Sequence, residues 1–218
     1  MKIVCRAMGV PIHESQVVPW GDFVEPSTQP TKRQLPGDKF RVLWVGRLLN
    51  WKRVDTIICA VGELAKGRSS SMAITLDIYG AGPEEARLKG LAAKYGDAVA
   101  FHPPVTMADV RELMRRHDVY VLASNLCEGW GAVVPEALEE GMLVLGTYEA
   151  GASAALLPQE NLFHSGDWKG LAKKLSEISK VRRVRLPEEF TPAGAAMRLL
   201  SIAAGGGAGA RARNLTSA

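Results

Sequence analysis

The stretch from Phe40 to Val45, FRVLWV, is a nearly continuous apolar run that begins where a polar, Pro-rich segment ends. A run of this kind is typical of a strand that is buried on both faces of a sheet. Apolar residues then recur at the spacing of one helical face. They are Val54, Ile57, Ile58, Val61 and Leu64. The sequence therefore predicts a buried strand that leads directly into an amphipathic helix.

The same alternation of strand and helix continues along the chain. The pattern predicts further strands at Ala73 to Tyr79, Val99 to His102, Val119 to Ala123 and Met142 to Gly146. It predicts one helix over Glu84 to Lys94 and another that begins near Pro135. Two further helices are indicated by apolar faces, one formed by Val110, Leu113, Met114 and His117 and the other by Leu171, Leu175 and Ile178. This order is typical of the α/β class, here a Rossmann-like, doubly wound parallel sheet. Such sheets bind ligands beyond the carboxyl ends of their strands, where the strand order reverses.

Composition shifts divide the chain into three segments. Residues 1 to 39 are rich in Pro and polar residues, which predicts an interdomain linker or lead-in. Residues 40 to 185 carry the alternating pattern and form the predicted Rossmann-like domain. Residues 186 to 218 are rich in Ala and Gly, which predicts a helix followed by a low-complexity tail.

Charge and cysteine content narrow the function classes. The net charge is +4, but the basic residues are scattered, and the densest run, Lys180 to Arg185, follows a predicted helix. This pattern disfavours nucleic-acid binding and leaves room for weak attraction to an anionic membrane surface. The three cysteines, Cys5, Cys59 and Cys127, have no metal-binding spacing. Together with an amino terminus unlike a secretory signal, they predict a reduced, cytoplasmic location without a bound metal.

The segment Glu128 to Glu136, EGWGAVVPE, carries the strongest candidate site. Gly129 and Gly131 leave the backbone free to approach a ligand, and Pro135 suits the first turn of a helix. Glu136 could accept two ribose hydroxyls, and Glu128 could accept hydroxyls of a second, sugar-like group. The alternative is that these glutamates only complement a helix dipole.

Two glycine-containing segments follow predicted strands. Gly46-Arg47, with Lys52 five residues beyond, could bracket a diphosphate, although both cations could instead be solvated loop charges. Gly80-Ala81-Gly82-Pro83 lacks the third glycine of a dinucleotide fingerprint, so we expect only a tight strand-to-helix turn there.

Five segments of this sequence occur in the order seen in a known protein family, which strengthens the interpretation of Glu128 to Glu136 as a ligand site. They are GRLLNWK, IYGAGPE, FHPPV, ASNLCEGWGAVVPEAL and GMLVLGT. Together they resemble the retaining GT-B glycosyltransferases of the family-four type, the glycosyl transferases group 1. The hallmark of that family is a pair of glutamates separated by seven residues, and Glu128 and Glu136 match it. The resemblance covers roughly residues 8 to 182 and implies the carboxyl-terminal, donor-binding domain of a GT-B fold.

The resemblance also implies roles for individual residues. Arg47 and Lys52 would hold the donor diphosphate and stabilise it as it leaves, while Glu128 would bind the transferred sugar, and these three form the implied catalytic set. Glu136 would bind the ribose. The backbone of Gly46, Gly129, Trp130 and Gly131 would make further contacts with the donor. The backbone near Val105 would face the base.

The implied reaction is a retaining hexosyl transfer from a nucleoside-diphosphate sugar to a glycan or lipid-linked acceptor. The resemblance implies no cofactor and no metal held by a D-x-D motif, and the sequence, which contains no D-x-D, agrees with this expectation. The implied partner is an amino-terminal acceptor domain, and the expected location is the cytoplasm, with peripheral contact at the inner membrane face. The family usually has Gly-Gly and then Glu after the fifth strand. This chain has Ala150-Gly151 and then Ala154.

Two other functions remain open at this point. One is a truncated homologue that binds nucleotide sugar without catalysis. A nicotinamide-dependent oxidoreductase is a poorer fit, because the chain has no complete G-x-G-x-x-G. Of the weaker candidates, His102 and His117 are expected to be structural, and Cys127 is expected to be a small buried residue.

Overall fold

The computed structural model describes Val24, residues 39–67 and residues 73–203 of the 218-residue chain. The chain divides into two compact units. The first spans Pro26–Leu186, and the second combines Met1–Glu25 with Pro187–Ala218. The predicted lead-in, except Val24 and Lys39, and the tail beyond residue 203 lie outside the described residues.

The first unit alternates strand and helix. Its strands are β1 (Lys39–Val45), β2 (Ala73–Tyr79), β3 (Val99–His102), β4 (Val119–Leu122), β5 (Leu143–Thr147) and β6 (Leu162–Phe163). Its helices are α1 (Val54–Lys66), α2 (Glu85–Ala92), α3 (Met107–Arg116), α4 (Val133–Glu139), α5 (Gly151–Leu156) and α6 (Trp168–Ser176). Short 3₁₀ turns lie at Asn50–Lys52, Ala93–Ala98, Gln159–Asn161 and Ile178–Lys180.

The described strands form one six-stranded parallel sheet in the order β3-β2-β1-β4-β5-β6. This order confirms the predicted doubly wound, Rossmann-like fold. The order reverses between β1 and β4, so the connections that follow these two strands turn away to opposite sides. A crevice therefore opens at their carboxyl ends.

The core explains why β1 is so apolar. Phe40, Val42 and Trp44 point into a cluster with α1, α2 and α6, whereas Leu43 faces the opposite side of the sheet, and all four are buried. Helices α3, α4 and α5 pack against that opposite side. A strand covered on both faces needs apolar residues at successive positions, as FRVLWV supplies.

Several element boundaries differ from the sequence prediction. The helix predicted to reach Lys94 ends at Ala92 and continues as 3₁₀ turns, because Gly96 adopts φ 55° and ψ −135° and breaks the helical path. Helix α4 begins at Val133 rather than near Pro135, which lies within its first turn. Ile178 lies in a 3₁₀ turn beyond the end of α6.

Buried contacts fix two of the helices. A Cβ on Gly62 of α1 would overlap the ring of Tyr95, so only glycine lets the ring pack there. The side chain of Glu140, which directly follows α4, is fully buried and accepts a 3.0 Å hydrogen bond from Arg115 of α3. Arg111 lies 3.5 Å from the same carboxylate. This cluster joins α3 to the helix that carries Glu136.

In the second unit, the described residues beyond Leu186 form a 3₁₀ turn at Glu188–Phe190 and helix α7 (Pro192–Ala203). Phe190 and Ala195 are buried, while Met197, Leu199 and Leu200 are exposed.

Candidate functional site

Two loops meet at the carboxyl ends of β1 and β4, where the strand order reverses. One comprises residues 46 to 53 and the other residues 123 to 132. The backbone N–H of Asn125 donates to the carbonyl of Trp51 at 2.9 Å, which ties the loops together. The fold therefore places the predicted Lys52 and Glu128 segments opposite each other.

Lys52 and Glu128 form an ion pair across this crevice. The ammonium group of Lys52 donates to Oε2 of Glu128, and the hydroxyl of Ser124 donates to the same oxygen at 2.8 Å. The two charged side chains are 22% and 11% exposed, so both are mostly shielded but still reachable from solvent. A partly buried pair is screened less by water and salt than a surface pair. These residues form the centre of the candidate site.

A tight turn presents Glu128. Its backbone N–H donates to the carbonyl of Asn125 at 2.9 Å, and the N–H of Cys127 donates to Oδ1 of Asn125 at 2.9 Å. Leu126 and Cys127 therefore occupy the solvent side of the turn. The expectation that Cys127 is buried is wrong, because this turn directs it outward, where it is exposed.

The two glycines of EGWG have different environments. Gly131 has φ +90°, a conformation that strains any residue with a side chain, and a Cβ there would lie 2.8 Å from Leu122. A Cβ on Gly129 would meet no atom within 4 Å. The backbone at Gly131 thus needs glycine for folding, whereas Gly129 leaves open space beside Glu128.

Glu136 joins the same region through a buried tyrosine. Tyr120 lies on β4 and is 1% exposed. Burial raises the pKa of Tyr120, and the negative charges of Glu128 and Glu136 raise it further, so the phenol stays neutral. Both negative charges therefore act on the same buried residue of β4. Glu136 is the fourth residue of α4, a helix of seven residues.

The loop after β5 packs on the glycine segment. The N–H of Ala152 donates to the carbonyl of Trp130 at 2.7 Å. A Cβ on Gly151 would lie 2.5 Å from the carbonyl oxygen of Gly129. Gly151 thus lets two loops approach closely, and it holds Gly129 and Trp130 in place.

Gly46 and the Gly80–Pro83 segment form a second loop contact. The N–H of Gly46 donates to the carbonyl of Tyr79 at 3.0 Å, and that of Leu48 donates to Ala81 at 2.9 Å. A Cβ on Gly80 would overlap the carbonyl oxygen of Gly46. The segment is therefore the tight turn that the sequence predicts, and it supports the loop that carries Arg47.

Arg47 and Val105 remain apart from this central cluster. Arg47 is exposed, and within the described part of the chain its guanidinium makes no ion pair. Val105 is half-buried in the connection between β3 and α3, which leaves the same carboxyl edge of the sheet. Among the described residues, neither is hydrogen-bonded or ion-paired to Lys52 or Glu128.

Comparison with known proteins identifies the family. The sequence matches the family described as glycosyl transferases group 1 over residues 27–197. The chain belongs to this family. The fold of the first unit is that of GT-B glycosyltransferases, and the unit corresponds to their carboxyl-terminal domain.

Three similar proteins show the extent of the match. The chain is 29% identical over 140 residues to the GtfA subunit of a UDP-N-acetylglucosamine–peptide N-acetylglucosaminyltransferase from Limosilactobacillus reuteri, covering 62% of this chain and 26% of that protein. It is 30% identical over 169 residues to a D-inositol 3-phosphate glycosyltransferase from Paenarthrobacter aurescens, covering 72% and 41%. The crystallised catalytic domain of a cholesterol-α-glucosyltransferase from Helicobacter pylori aligns with a TM-score of 0.56 and 25% identity, covering 72% of this chain and 98% of that domain. This glycosyltransferase chain thus spans between about a quarter and two-fifths of the two sequence relatives.

Ser124 and Arg53 are site features that the sequence interpretation missed. Ser124 is fully buried just after an apolar strand. A buried hydroxyl needs a hydrogen-bond partner, and its position in the sequence could have indicated a polar contact there. Arg53 adopts a left-handed backbone (φ 48°) directly after Lys52. Its guanidinium pairs with Asp55 at 3.2 Å and lies against Gly166. No sequence pattern reveals this conformation.

None of the helices in the described part of the chain is long and apolar enough to cross a membrane. The described residues also contain no group of three or more His, Cys, Asp or Glu residues arranged to hold a metal ion.

Proposed function

We propose that the first unit binds a nucleoside-diphosphate sugar and forms the donor half of a retaining hexosyltransferase. The observation that carries this proposal is the Lys52–Glu128 ion pair at the reversal of strand order, where doubly wound sheets bind ligands. A cation suits a diphosphate, and a carboxylate suits the hydroxyls of a sugar. Membership of the glycosyl transferases group 1 supports both assignments.

The proposed roles combine the family resemblance with the positions of the side chains. Lys52 and the exposed Arg47 bind the diphosphate, since both belong to the loop after β1. Glu128 binds the transferred sugar, with Gly129 providing the open space beside it. Glu136 binds the ribose, and the segment around Val105 lies along the base.

The proposed chemistry needs charge stabilisation on the leaving group. The bond between the anomeric carbon and the diphosphate oxygen breaks, the acceptor oxygen bonds to that carbon from the same face, and the proton of the acceptor hydroxyl passes to the departing diphosphate oxygen. Negative charge then grows on the diphosphate beside Lys52 and Arg47. Loss of one such preorganised contact typically costs on the order of 100-fold in rate. We assign no cofactor and no protein-bound metal to this step.

The proposed acceptor is a glycan or a lipid-linked molecule held by an amino-terminal domain. The relatives include proteins named for peptide and D-inositol 3-phosphate acceptors, so the family serves several acceptor classes. We also propose a cytoplasmic location for the enzyme, in polysaccharide biosynthesis. Its net charge of +4 would favour peripheral contact with an anionic membrane surface.

A binding module without catalysis is the second candidate. It is favoured by Ala154, which is exposed on α5 at the position where the family usually has Glu.

Calorimetry with UDP, GDP and ADP, and with their glucose conjugates, tests the donor site. Lys52→Ala should weaken nucleoside-diphosphate binding by roughly 10- to 100-fold, because it removes a charge-assisted hydrogen bond. Lys180→Ala is the matched control, since it removes a lysine that is 74% exposed and pairs only with the nearby Glu177. If none of these compounds binds at millimolar concentration, the proposed donor site is refuted.

Glu128 and Glu136 should differ in the same assay. Glu136→Ala should weaken binding of the free diphosphate, because it removes the ribose contact. Glu128→Ala should chiefly weaken binding of the sugar conjugate, and it frees Lys52 from its ion pair. Equal losses of free-diphosphate affinity in the two variants would contradict this division of roles.

A transfer assay distinguishes enzyme from binding module. A separate amino-terminal acceptor domain would be added to the chain, and the anomeric configuration of the product would be read by NMR. Transfer with retention supports the enzyme, whereas tight donor binding without transfer in any such mixture supports the binding module.

A further inference from the structure

An exposed pair of aromatic rings lies outside the candidate site, at the carboxyl ends of β5 and β6. Tyr148 directly follows β5, and His164 directly follows β6. Their ring centroids are 4.8 Å apart, and the ring planes are inclined by 33°. Tyr148 is 39% exposed, and the side chain of His164 is 74% exposed. The roles proposed for the donor site use neither residue.

Hydrogen bonds fix the two loops that carry these rings. The backbone N–H of Tyr148 donates to the carbonyl of Phe163, the last residue of β6, at 3.1 Å. The N–H of Ser165 donates to Oε2 of Glu149 at 3.2 Å, and Oε1 of the same carboxylate lies 3.3 Å from Nδ1 of His164. The rings are therefore held in place before any ligand arrives, which lowers the entropic cost of binding one.

The same loops are joined to the end of β4, where the candidate site lies. The hydroxyl of Thr147 donates to the carbonyl of Ser124 at 2.6 Å, and the hydroxyl of Ser165 donates to the carbonyl of Ala123 at 2.9 Å. Ser124 is also the residue whose hydroxyl binds Glu128. Because neighbouring strands are about 4.8 Å apart, the ring pair lies roughly 5–10 Å from the end of β4 along the sheet edge.

The proposed donor contacts follow the strand order along this edge. Val105, assigned to the base, follows β3, and Lys52, assigned to the diphosphate, follows β1. Glu128, assigned to the transferred sugar, follows β4. The next positions in that order are the ends of β5 and β6, which carry the ring pair. A group bound there would lie beside the transferred sugar, on the side away from the base. The acceptor is the reactant that such a position suits.

The chemistry of the ring pair suits a carbohydrate. A sugar ring has apolar C–H groups, which pack on an aromatic face, and hydroxyls around its edge, which need hydrogen-bond partners. Glu149 is 21% exposed and can accept such bonds, since a carboxylate has about four acceptor positions and at most two are used here. Its negative charge disfavours a phosphate or another anion at the same place.

An aliphatic chain suits this surface less well. Among the described residues of this unit, the exposed large apolar side chains other than Tyr148 are those of Trp51, Met107 and Leu126. All three belong to other connections, so the loops after β5 and β6 present aromatic rings beside a carboxylate rather than a continuous apolar surface.

We propose that Tyr148, Glu149 and His164 form a subsite for a saccharide ring of the acceptor, so that the acceptor is a glycan. The two rings pack against the C–H groups of that saccharide, and Glu149 accepts hydrogen bonds from its hydroxyls. The subsite binds a free saccharide without any nucleotide, whereas its assignment to the acceptor rests on the proposed function.

Saturation-transfer difference NMR of the whole chain tests the subsite, with the methyl β-glycosides of glucose, galactose and N-acetylglucosamine at millimolar concentration as probes. Tyr148→Leu should weaken saccharide binding by about 3- to 10-fold, because it removes the aromatic face but keeps an apolar side chain. His164→Ala is the second variant if Tyr148→Leu does not fold. His102→Ala is the matched control, since His102 stacks on Tyr79 with 4.3 Å between centroids at the other end of the same sheet edge.

Octyl β-glucoside separates a glycan from a lipid. A glycan subsite should bind the methyl and octyl glucosides with similar affinity. Binding of the octyl glucoside without binding of any methyl glycoside would overturn the subsite in favour of a lipid chain. Absence of saturation transfer to every probe overturns it as well, and so does an equal loss of saccharide binding in His102→Ala and Tyr148→Leu.

Calorimetry with UDP, GDP and ADP, and with their glucose conjugates, separates the subsite from the donor site. Tyr148→Leu and His164→Ala should bind these compounds as tightly as the wild type. Weaker binding of a glucose conjugate by these variants, with saccharide binding unchanged, would assign the rings to the donor sugar and overturn the acceptor assignment. If the wild type binds saccharide but no nucleotide, the proposed function fails while the saccharide subsite stands.

Discussion

Gly129 and Gly131 offer a direct test of how the loop after β4 is built. The same substitution, glycine to alanine, adds one methyl group at positions two residues apart. At Gly131 the backbone has φ +90°, and the new Cβ would lie 2.8 Å from Cδ2 of Leu122. At Gly129 the new Cβ would meet no atom within 4 Å. We therefore expect Gly131→Ala to harm folding and Gly129→Ala to leave it nearly unchanged.

The expected cost at Gly131 has three contributions. A side chain in a left-handed conformation costs about 1–2 kcal/mol. Crowding against Leu122, which is 2% exposed and has little room to move, adds roughly 1–3 kcal/mol. Alanine also lowers the conformational entropy of the unfolded chain, which offsets about 0.4–1 kcal/mol of this cost. The net loss is about 1–4.6 kcal/mol, and its midpoint near 3 kcal/mol corresponds to roughly 6–12 °C in melting temperature for a chain of this length.

Thermal unfolding and calorimetry with a UDP-sugar distinguish the two variants. Gly131→Ala should unfold at lower temperature, and any loss of binding should follow from that. Gly129→Ala should melt within about 2 °C of the wild type but bind the UDP-sugar less well, because its methyl group fills space beside Glu128. Equal melting temperatures for the two variants would refute the steric argument. Unchanged binding by Gly129→Ala would refute the assignment of that space to the sugar.

Three further predictions concern the scaffold, and thermal unfolding checks each of them. Gly62→Ala should destabilise the fold by about 1–2 kcal/mol, because the overlap of the new methyl group with the ring of Tyr95 outweighs the gain in helix propensity. Gly90→Ala in α2, where a Cβ meets no atom within 4 Å, should stabilise the fold by about 1 kcal/mol. Changes in stability of the same sign for the two variants would contradict this reasoning. Glu140→Gln should cost about 1–3 kcal/mol, because the fully buried carboxylate loses its charge and one of the two oxygens that face Arg111 and Arg115. Glu112→Gln on the surface should cost clearly less. Because a hydrogen bond with His117 lowers the folded-state pKa of Asp77, the contribution of Asp77 to stability is present above the unfolded value and is lost as pH falls through the folded value. The melting-temperature difference between wild type and Asp77→Asn should therefore shrink below about pH 4, and a difference that grows in acid would show that the sign is wrong.

The fold was predictable because its signal is local. The apolar run at Phe40 to Val45 and the helical spacing that follows reflect burial on both faces of a strand and on one face of a helix. The boundaries were less predictable, because backbone conformation decides them. Gly96 ends the path of α2 through its left-handed φ of 55°, and the composition around it does not reveal that angle.

The candidate site was predictable only in its residue types. Spacing and resemblance indicated Lys52 and Glu128, but the ion pair between them depends on β1 and β4 being neighbours, which is a long-range property. For Cys127, the prediction from sequence was wrong. A small apolar residue beside a buried strand is usually buried, but the turn at Asn125 carries this one outward.

The Lys52–Glu128 ion pair links folding to the proposed binding. Without a ligand, each side chain satisfies the other, and together with the Asn125–Trp51 hydrogen bond they hold the two loops at a fixed distance. A diphosphate would offer Lys52 a second anion, and a sugar would offer Glu128 hydroxyl donors in place of the ammonium group. Under the proposed function, binding would exchange one charge-assisted contact for two, while Ser124 would keep Glu128 oriented. This exchange would account for a mostly buried lysine and glutamate at the reversal of strand order, since a purely structural pair could be replaced there by apolar residues at little cost in stability.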